Sequence, residues 1–581
     1  MTPQKPLRLW PGVVAVTLQL AVRFGLLLVW PDGLEYSVLG GIAGALLVVL
    51  WWLFFSRAPW VERLGGIALL VAAMALTPRI LDRSIATGAM GMLFYIYAVP
   101  VVCLAFVVWA VATRKLPDGL RRATMVATIL ITCAAWALVR TNGFTSGFSS
   151  DFAWRWTPTA EDRLVHASDK PSVAAPAPTV MKISAPVPEP VKLPPAEPKI
   201  VKPVADWPGF RGPHRDDVIG GVKIDTDWSK SPPVEMWRRP IGPGWSSFAV
   251  HGDLFYTQEQ RGSEEVVACS KVSTGEPVWT HRDTARFWES NAGAGPRATP
   301  TLHNGRVYSF GATGILNALD AASGSVLWSR NAGDDAGVKV PEWGFASSPL
   351  VVEDLVVVAA AGKLAAYDIA TGEPRWFGPD GHYGYSSPHL ATIGGVPQIV
   401  LLSGSGVTSV AVDGAKLWEF ALPAAGRITQ PALTADGDLL AGEGEGHNLH
   451  RIAVVQGVVE ERWSSNGLKP YFSDLVVHHG HAYGFDGSIL AAIDLKDGKR
   501  VWKGGRYGSG QLVLLADQDV LLVLSEEGGL ALVAATPEQF KELARFPAIE
   551  GKTWNHPVLA GDVLLVRNGE QMAAFRLKVI P

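Results

Sequence analysis

The rhythm of apolar positions changes once along this chain, near residue 140. Before that point apolar residues run almost unbroken through 12–30, 36–55, 64–76, 88–111 and 123–139. Roughly 20 apolar residues suffice for a helix to cross a bilayer, so this pattern predicts a transmembrane bundle of about five helices over residues 1–145; the third run is the shortest. Beyond residue 206 the pattern is different. Short β-rich runs alternate with Gly, Asp and Asn turns, as in hairpin-linked strands.

The second region repeats itself. Residues 318–328 (ALDAASGSVLW), 366–376 (AYDIATGEPRW) and 492–502 (AIDLKDGKRVW) share one turn ending in tryptophan, with weaker copies at 268–279, at 410–418 and before Trp463. Trp237, Trp279, Trp328, Trp376, Trp418, Trp463 and Trp502 are spaced by 42, 49, 48, 42, 45 and 39 residues, and Phe546 follows after 44. About 40–45 residues per unit matches one four-stranded propeller blade. Between the turns lies a second element, an apolar stretch opened by a small residue and a proline, as in ATPTLHNGRVY (298–308) and SSPLVVEDLVVV (347–358). Inner-strand starts, with or without the proline, number eight, near Ser247, Thr299, Ser347, Ser386, Thr429, Phe472, Gln511 and Asn555, so the expected fold is all-β, an eight-bladed β-propeller over residues 206–581. Residues 234–240 read as an outer strand with no inner strands before it, and 571–579 as a blade stopping short of its last strand. Pairing the two closes the ring and removes its exposed edges.

These residues carry a family resemblance. The AxDxxTGxxxW turn resembles the tryptophan-docking motif of pyrroloquinoline-quinone (PQQ)-like propellers, and the opening 206–216 (DWPGFRGPHRD) resembles their lead-in. The resemblance covers about residues 206–581. It implies that Trp279, Trp328, Trp376, Trp418 and Trp502 pack between neighbouring blades. The family divides into quinoprotein dehydrogenases and non-catalytic scaffolds, of which the eight-bladed BamB type is the best known. The spans followed by such a propeller also resemble, in layout only, membrane-bound quinoprotein glucose dehydrogenases, whose membrane half binds ubiquinone.

Basic residues orient the spans. Lys5 and Arg8 precede the first, Arg57 and Arg63 lie between the second and third, and Arg114, Lys115, Arg121 and Arg122 precede the fifth. The positive-inside rule then puts the N-terminus in the cytoplasm and the propeller outside it, and with the resemblance this implies a multi-pass protein of the bacterial inner membrane whose propeller is in the periplasm. Between the halves, 146–205 reads as a periplasmic linker, with ten prolines in residues 171–203. Such a stretch favours an extended spacer.

Chemistry is constrained from several sides. The net charge is −3, which gives no bulk electrostatic case for nucleic acid. Cys103 and Cys133 lie in spans and Cys269 is alone in the propeller, so the propeller has no internal disulfide. No CxxCH is present to attach a c-type haem. The cluster His478, His479 and His481 reads as a surface turn, and no metal site is expected.

Residues just before each inner strand line one end of a propeller's channel. Here they include Trp245, Arg297, Trp343, Tyr385, Arg427, Lys469, Arg506, Trp554 and Asn555. Guanidinium groups suit carboxylates and phosphates, and aromatic rings suit stacking, so these residues form the expected ligand-binding mouth. No catalytic residue is assigned, because no base carboxylate stands among them. The favoured function is a binding or scaffold module for a protein partner of the periplasm or envelope, or for an anionic small ligand, with no cofactor and the lipid bilayer as anchor. The alternative is a PQQ- and calcium-dependent alcohol or sugar dehydrogenase passing electrons to membrane quinone.

Overall fold

A computed structural model describes residues 7–30, 33–145, 150–168, 206–423, 425–444 and 446–580. The chain divides into two compact units, one of residues 1–157 with 289–293, the other of 158–288 with 294–581. In the first unit, five helices are long and apolar enough to cross a membrane: Trp10–Val29, Leu34–Phe55, Trp60–Arg79, Leu93–Ala112 and Asp118–Leu138. The third, shortest apolar run is thus among them. Trp51, Trp52, Phe106 and Trp109 form the bundle's aromatic core, with Trp52 edge-on to Phe106 at 4.8 Å. Arg23, inside the first span, is 4% exposed. It occupies the π-helical turn Ala21–Gly25, donates to Ser37 Oγ (3.1 Å) and lies over the rings of Phe24 and Tyr97. Glu62 is buried and holds both Arg121 (2.9 Å) and Arg122 (3.0 Å).

The stretch read as linker is partly structured. Ser150–Trp154 pairs with Val139–Phe144, and Ala160–Ser168 is a helix. That helix is held on blade 1: Glu161 pairs with Arg286 (2.6 Å) and accepts from the Gly262 N–H (2.8 Å). The proline-rich residues 171–203 lie outside the described residues.

The second unit is an eight-bladed propeller with four-stranded blades. The innermost strands of blades 1 to 8 are Ala249–His251, Thr301–His303, Leu350–Val352, His389–Ile393, Ala432–Leu433, Val476–His478, Gln511–Leu515 and Val558–Ala560. Val234–Pro240 pairs antiparallel with Gln571–Arg576, Trp237 opposite Ala574, and supplies the outer strand of blade 8. The ring therefore closes where the repeat pattern places the closure.

The repeated turn explains the docking tryptophans. Asp320 Oδ1 caps the Ala322 and Ser323 N–H groups, and Asp368 Oδ1 caps Ala370 and Thr371. Gly324 and Gly372 both have φ +72°, which glycine adopts without strain. A Cβ on Gly324 would lie 2.4 Å from the Trp279 ring, and one on Gly372 2.6 Å from Trp328, so each turn is shaped to receive the preceding blade's indole. The indole N–H then donates to a carbonyl of the next blade: Trp237 to Val272, Trp279 to Ala321, Trp328 to Ile369, Trp376 to Val412, Trp463 to Leu495 and Trp502 to Thr536, at 2.7–3.1 Å. Trp418 differs. Blade 5 joins its outer strands by a tight turn at Gln456–Gly457 rather than by the capped loop, and Trp418 donates to Gln398 Oε1 in its own blade. At the ring closure Phe546 has no N–H to give. It packs edge-on to Phe575 (5.4 Å) and Trp228 (6.4 Å) instead.

Candidate functional site

The channel is organised by one position per blade, two residues ahead of the point where the inner strands align. Ser247, Thr299, Ser348, Ser387, Gln430, Asp474, Gln511 and His556 occupy it. In order round the ring, the backbone N–H of one donates to the side chain of the next. Ser247 donates to Thr299, Thr299 to Ser348, Ser348 to Ser387, Ser387 to Gln430, Gln430 to Asp474 and Asp474 to Gln511, at 2.7–3.4 Å. Ser247 Oγ closes the belt on the His556 carbonyl at 2.6 Å. Short hydroxyl side chains before a proline satisfy backbone donors that an inner strand edge would otherwise leave buried and unpaired.

Below this belt the channel is crossed by the lead-in segment. Trp207 bridges to Val250 of blade 1, and Pro208 accepts from Leu302 of blade 2. Arg215 donates to the Ser348 and Pro349 carbonyls, and Val218–Ile219 adds a parallel strand to blade 7. Arg211 reaches into the belt. It pairs with Asp217 (2.5 Å), lies 3.6 Å from Asp474 and donates to the Leu475 carbonyl (3.0 Å). The His556 ring stands between the two carboxylates, Nδ1 3.4 Å from Asp217 and Nε2 3.6 Å from Asp474. Burial pushes the Asp217 carboxyl up, but Arg211 and His556 outweigh it and hold it below the ordinary range; Asp474, where burial dominates, is pushed up. Asp217, Asp474 and His556 are close enough to share a metal ion, but the Arg211 guanidinium already pairs with Asp217 and stands 3.6 Å from Asp474. We read it as the ionic lock of the crossing segment. A second group, His478, His479 and Asp519, stands at the exposed His478–His481 turn, with His478 Nε2 2.6 Å from Asp519.

Above the belt is the mouth, where the chain enters each inner strand. Trp245 and Trp554 pack at 4.8 Å, Phe472 lies 4.8 Å from Trp554, and Tyr471 5.2 Å from Phe472. The Lys552 ammonium sits over the Trp554 ring (4.2 Å) and the Trp245 ring (5.2 Å), a cation–π arrangement. Trp343 and Tyr385 stack at 4.9 Å. Glu526 fixes this surface from behind, taking the Trp554 indole N–H at 2.7 Å and the Ser509 N–H at 3.2 Å.

The cationic residues of the expected mouth have local duties. Arg297 donates to the Trp343 carbonyl (3.1 Å) and lies over Phe287, Lys469 stands 3.9 Å from Asp486, and Arg506 donates to Ser488 Oγ. Three members are not presented to a ligand: Tyr385 is 6% exposed beneath Trp343, and Arg427 and Asn555 are deeper still. Arg427 is fully buried, its guanidinium on the Ser403 and Pro423 carbonyls, and Asn555 is 1% exposed, bonded to the Ser246 carbonyl. Both close gaps between blades, where a buried carbonyl needs a donor. Sequence spacing also places Lys552 at the mouth, but it missed the contributions of Phe472 and Glu526, and it missed the lock. The signal for the lock was present, because Asp474 and His556 are the ionisable residues at a repeat position otherwise held by hydroxyl and amide side chains. Nearby carboxylates are engaged in their own loops: Asp335 pairs with Arg330 (3.1 Å), and Glu289 accepts from the Asn291 and Ala292 N–H groups (2.6 Å). One carboxyl stands apart. Glu265, in Glu264–Lys271 of blade 1, is 4% exposed; one oxygen accepts from the Ala312 N–H (3.1 Å) and the other has no hydrogen-bond partner. Burial pushes it up to about 7, against the pull of Ala312 and Arg297.

The family model described as outer membrane protein assembly factor BamB matches residues 228–379 and 262–504. The propeller is PQQ-like and similar to the BamB type over that stretch. Its relatives include the Yersinia pestis outer membrane protein assembly factor BamB, 23% identical over 328 residues, which are 53% of this chain and 72% of that protein. The Shewanella oneidensis protein of the same name is 33% identical over 109 residues, 18% of this chain and 25% of that one. Among solved structures, a quinohemoprotein alcohol dehydrogenase from Pseudomonas putida HK5 aligns with TM-score 0.49 at 13% identity, over 64% of this chain and 80% of that one.

Proposed function

We propose that this protein is a multi-pass anchor of the bacterial inner membrane whose periplasmic propeller binds a protein partner at its aromatic mouth. One observation carries the reading. The mouth combines the Trp245–Trp554–Phe472–Tyr471 cluster and the Trp343–Tyr385 stack with polar groups already committed to internal bonds. Aromatic surfaces backed by a rigid scaffold and carrying an adjacent cation are the usual anchors of protein recognition. The BamB name of the relatives supports an envelope role. The test is a photo-crosslinking residue placed in cells at Tyr471, which is exposed at the mouth, and at Val458, which is exposed on an outer strand. A discrete adduct is expected from the mouth position alone. Equal labelling at both positions refutes the assignment.

The second reading, a PQQ- and calcium-dependent dehydrogenase, draws on the same stacked rings and on Lys552 and Arg297, which suit a flat polyanion. The oxygen ligands such a group needs fit less well. Among the described residues, neither carboxylate–histidine group stands at the mouth, and Glu526 is held by Trp554 and Ser509. Adding PQQ and Ca²⁺ to the purified protein separates the readings: a bound quinone chromophore with dye-linked alcohol or sugar oxidation would displace the scaffold.

A further inference from the structure

The half of the channel below the belt contains a cavity of ≈ 390 Å³. Its walls come from the inner strands of blades 3 to 6 and are mostly apolar, with Leu350, Ala391, Ala432 and Val476 among them. The crossing segment contributes Arg211, His214, Arg215 and Asp216. The two arginines differ in their counter-charge. Arg211 is balanced by Asp217 and Asp474. Arg215 donates to the carbonyls of Pro349 (2.9 Å) and Ser348 (3.1 Å), and among the described residues no carboxylate stands within 4.0 Å of it. Burial and the neighbouring Arg211 pull it down to about 9. His389 of blade 4 also lines the cavity. It is 5% exposed, and its Nδ1 has no hydrogen-bond partner. Burial, with Arg211 and Arg215 beside it, holds the ring down to about 3, so it is a neutral imidazole. The remaining charge on the lining, Asp216, accepts from the Val218 N–H at 3.1 Å, and burial pushes its carboxyl up.

We propose that this cavity binds a small amphipathic carboxylate, its head on Arg215 and its apolar body along the inner strands. A guanidinium fork pairs a carboxylate through two parallel hydrogen bonds. Arg215 is half-buried and is held only by neutral carbonyls, so an anion that pairs with it supplies the counter-charge the site lacks. Neutral His389 supplies a further hydrogen bond. The volume is within the range of small-molecule sites, whose walls are largely apolar with a few placed polar groups. A single negative charge matches the single uncompensated cation, whereas a dianion would meet Asp216. The site shares no residue with the aromatic mouth, so it stands or falls independently of the partner-binding reading.

Calorimetric titration of the full chain in nonionic detergent tests this, with hexanoate as the probe. Hexanol and hexylamine keep the apolar body but change the head, and inorganic phosphate tests the charge. Hexanoate should bind with a stoichiometry of one, at least tenfold tighter than either analogue and tighter than phosphate. Arg215→Gln should weaken it at least tenfold. Ala432→Leu, which narrows the cavity from a blade wall and leaves the crossing segment intact, should weaken it as well and serves if the arginine variant does not fold. Hexanoate binding no tighter than hexanol, or full affinity retained in Ala432→Leu, overturns the proposal. Phosphate binding tighter than hexanoate overturns the monoanion assignment.

Discussion

Glu265→Gln should make the propeller more stable at pH 8 and leave it nearly unchanged at pH 4.5. In the folded protein burial holds this carboxyl at about 7, against an ordinary value of 4.5. The native state therefore keeps a proton that the unfolded chain releases first. Folding takes up that proton between pH 4.5 and 7, so stability is fully present below 4.5 and is lost as pH rises through 7. At 1.36 kcal/mol per pH unit the gap corresponds to roughly 3 kcal/mol. With Glu265 4% exposed, solvent screening removes little of this. Glutamine keeps an oxygen for the Ala312 N–H (3.1 Å) and carries no charge at any pH. Urea unfolding of the full chain in detergent, followed by tryptophan fluorescence at pH 4.5, 6 and 8, reads the effect. The difference between variant and wild type should grow by roughly 3 kcal/mol across that series, most of it between pH 4.5 and 7. A difference that stays flat with pH would show that Glu265 is ionised in the native state and would refute the reasoning.

Trp328→Ala and Trp502→Ala should each cost about 3–5 kcal/mol of stability, since each removes a buried indole that joins two blades; a melting temperature unchanged by either would contradict the docking role. Asp217→Asn should destabilise by about 3–5 kcal/mol, because it strands Arg211 in the channel, and hydrogen exchange should then rise in residues 207–219 before the blades; exchange rising uniformly would mean that the lock is not separable. An alkaline phosphatase fused after residue 160 should be active, given the basic loops of the bundle; an inactive fusion, with a fluorescent cytoplasmic reporter lit at the same point, reverses the topology.

The blades were legible because their period is imposed by local chemistry. An Asp that caps a turn, a glycine that clears an indole and a tryptophan one strand later recur within a dozen residues, so the signal survives in sequence. Blade 5 shows the limit. Its turn at Gln456–Gly457 lacks the capping Asp, and only the structure shows Trp418 turning back to Gln398. The candidate site was less legible because its parts are distant in sequence. Arg211 meets Asp474 and His556 across more than 260 positions, and no local pattern announces that encounter. Arg427 and Asn555 stand at mouth positions by count alone. Whether a polar side chain faces solvent or a buried carbonyl depends on how closely neighbouring blades approach, which periodicity does not encode.

The pairing of Val234–Pro240 with Gln571–Arg576 also sets an order of events during synthesis. Gln571 and its partner Pro240 are 331 positions apart, so the strand that completes blade 8 leaves the ribosome long before the sheet it completes. Until Gln571–Arg576 is made, that strand has no partner in blade 8, and the neighbouring blades end on open edges. Val234–Pro240 must wait through the translation of seven blades, exposed to any strand that would pair with it in the meantime. Contacts of such long range are slow to form and are sensitive to competing partners. A nascent chain truncated before Gln571 should therefore leave both ends of the ring available for edge-to-edge pairing.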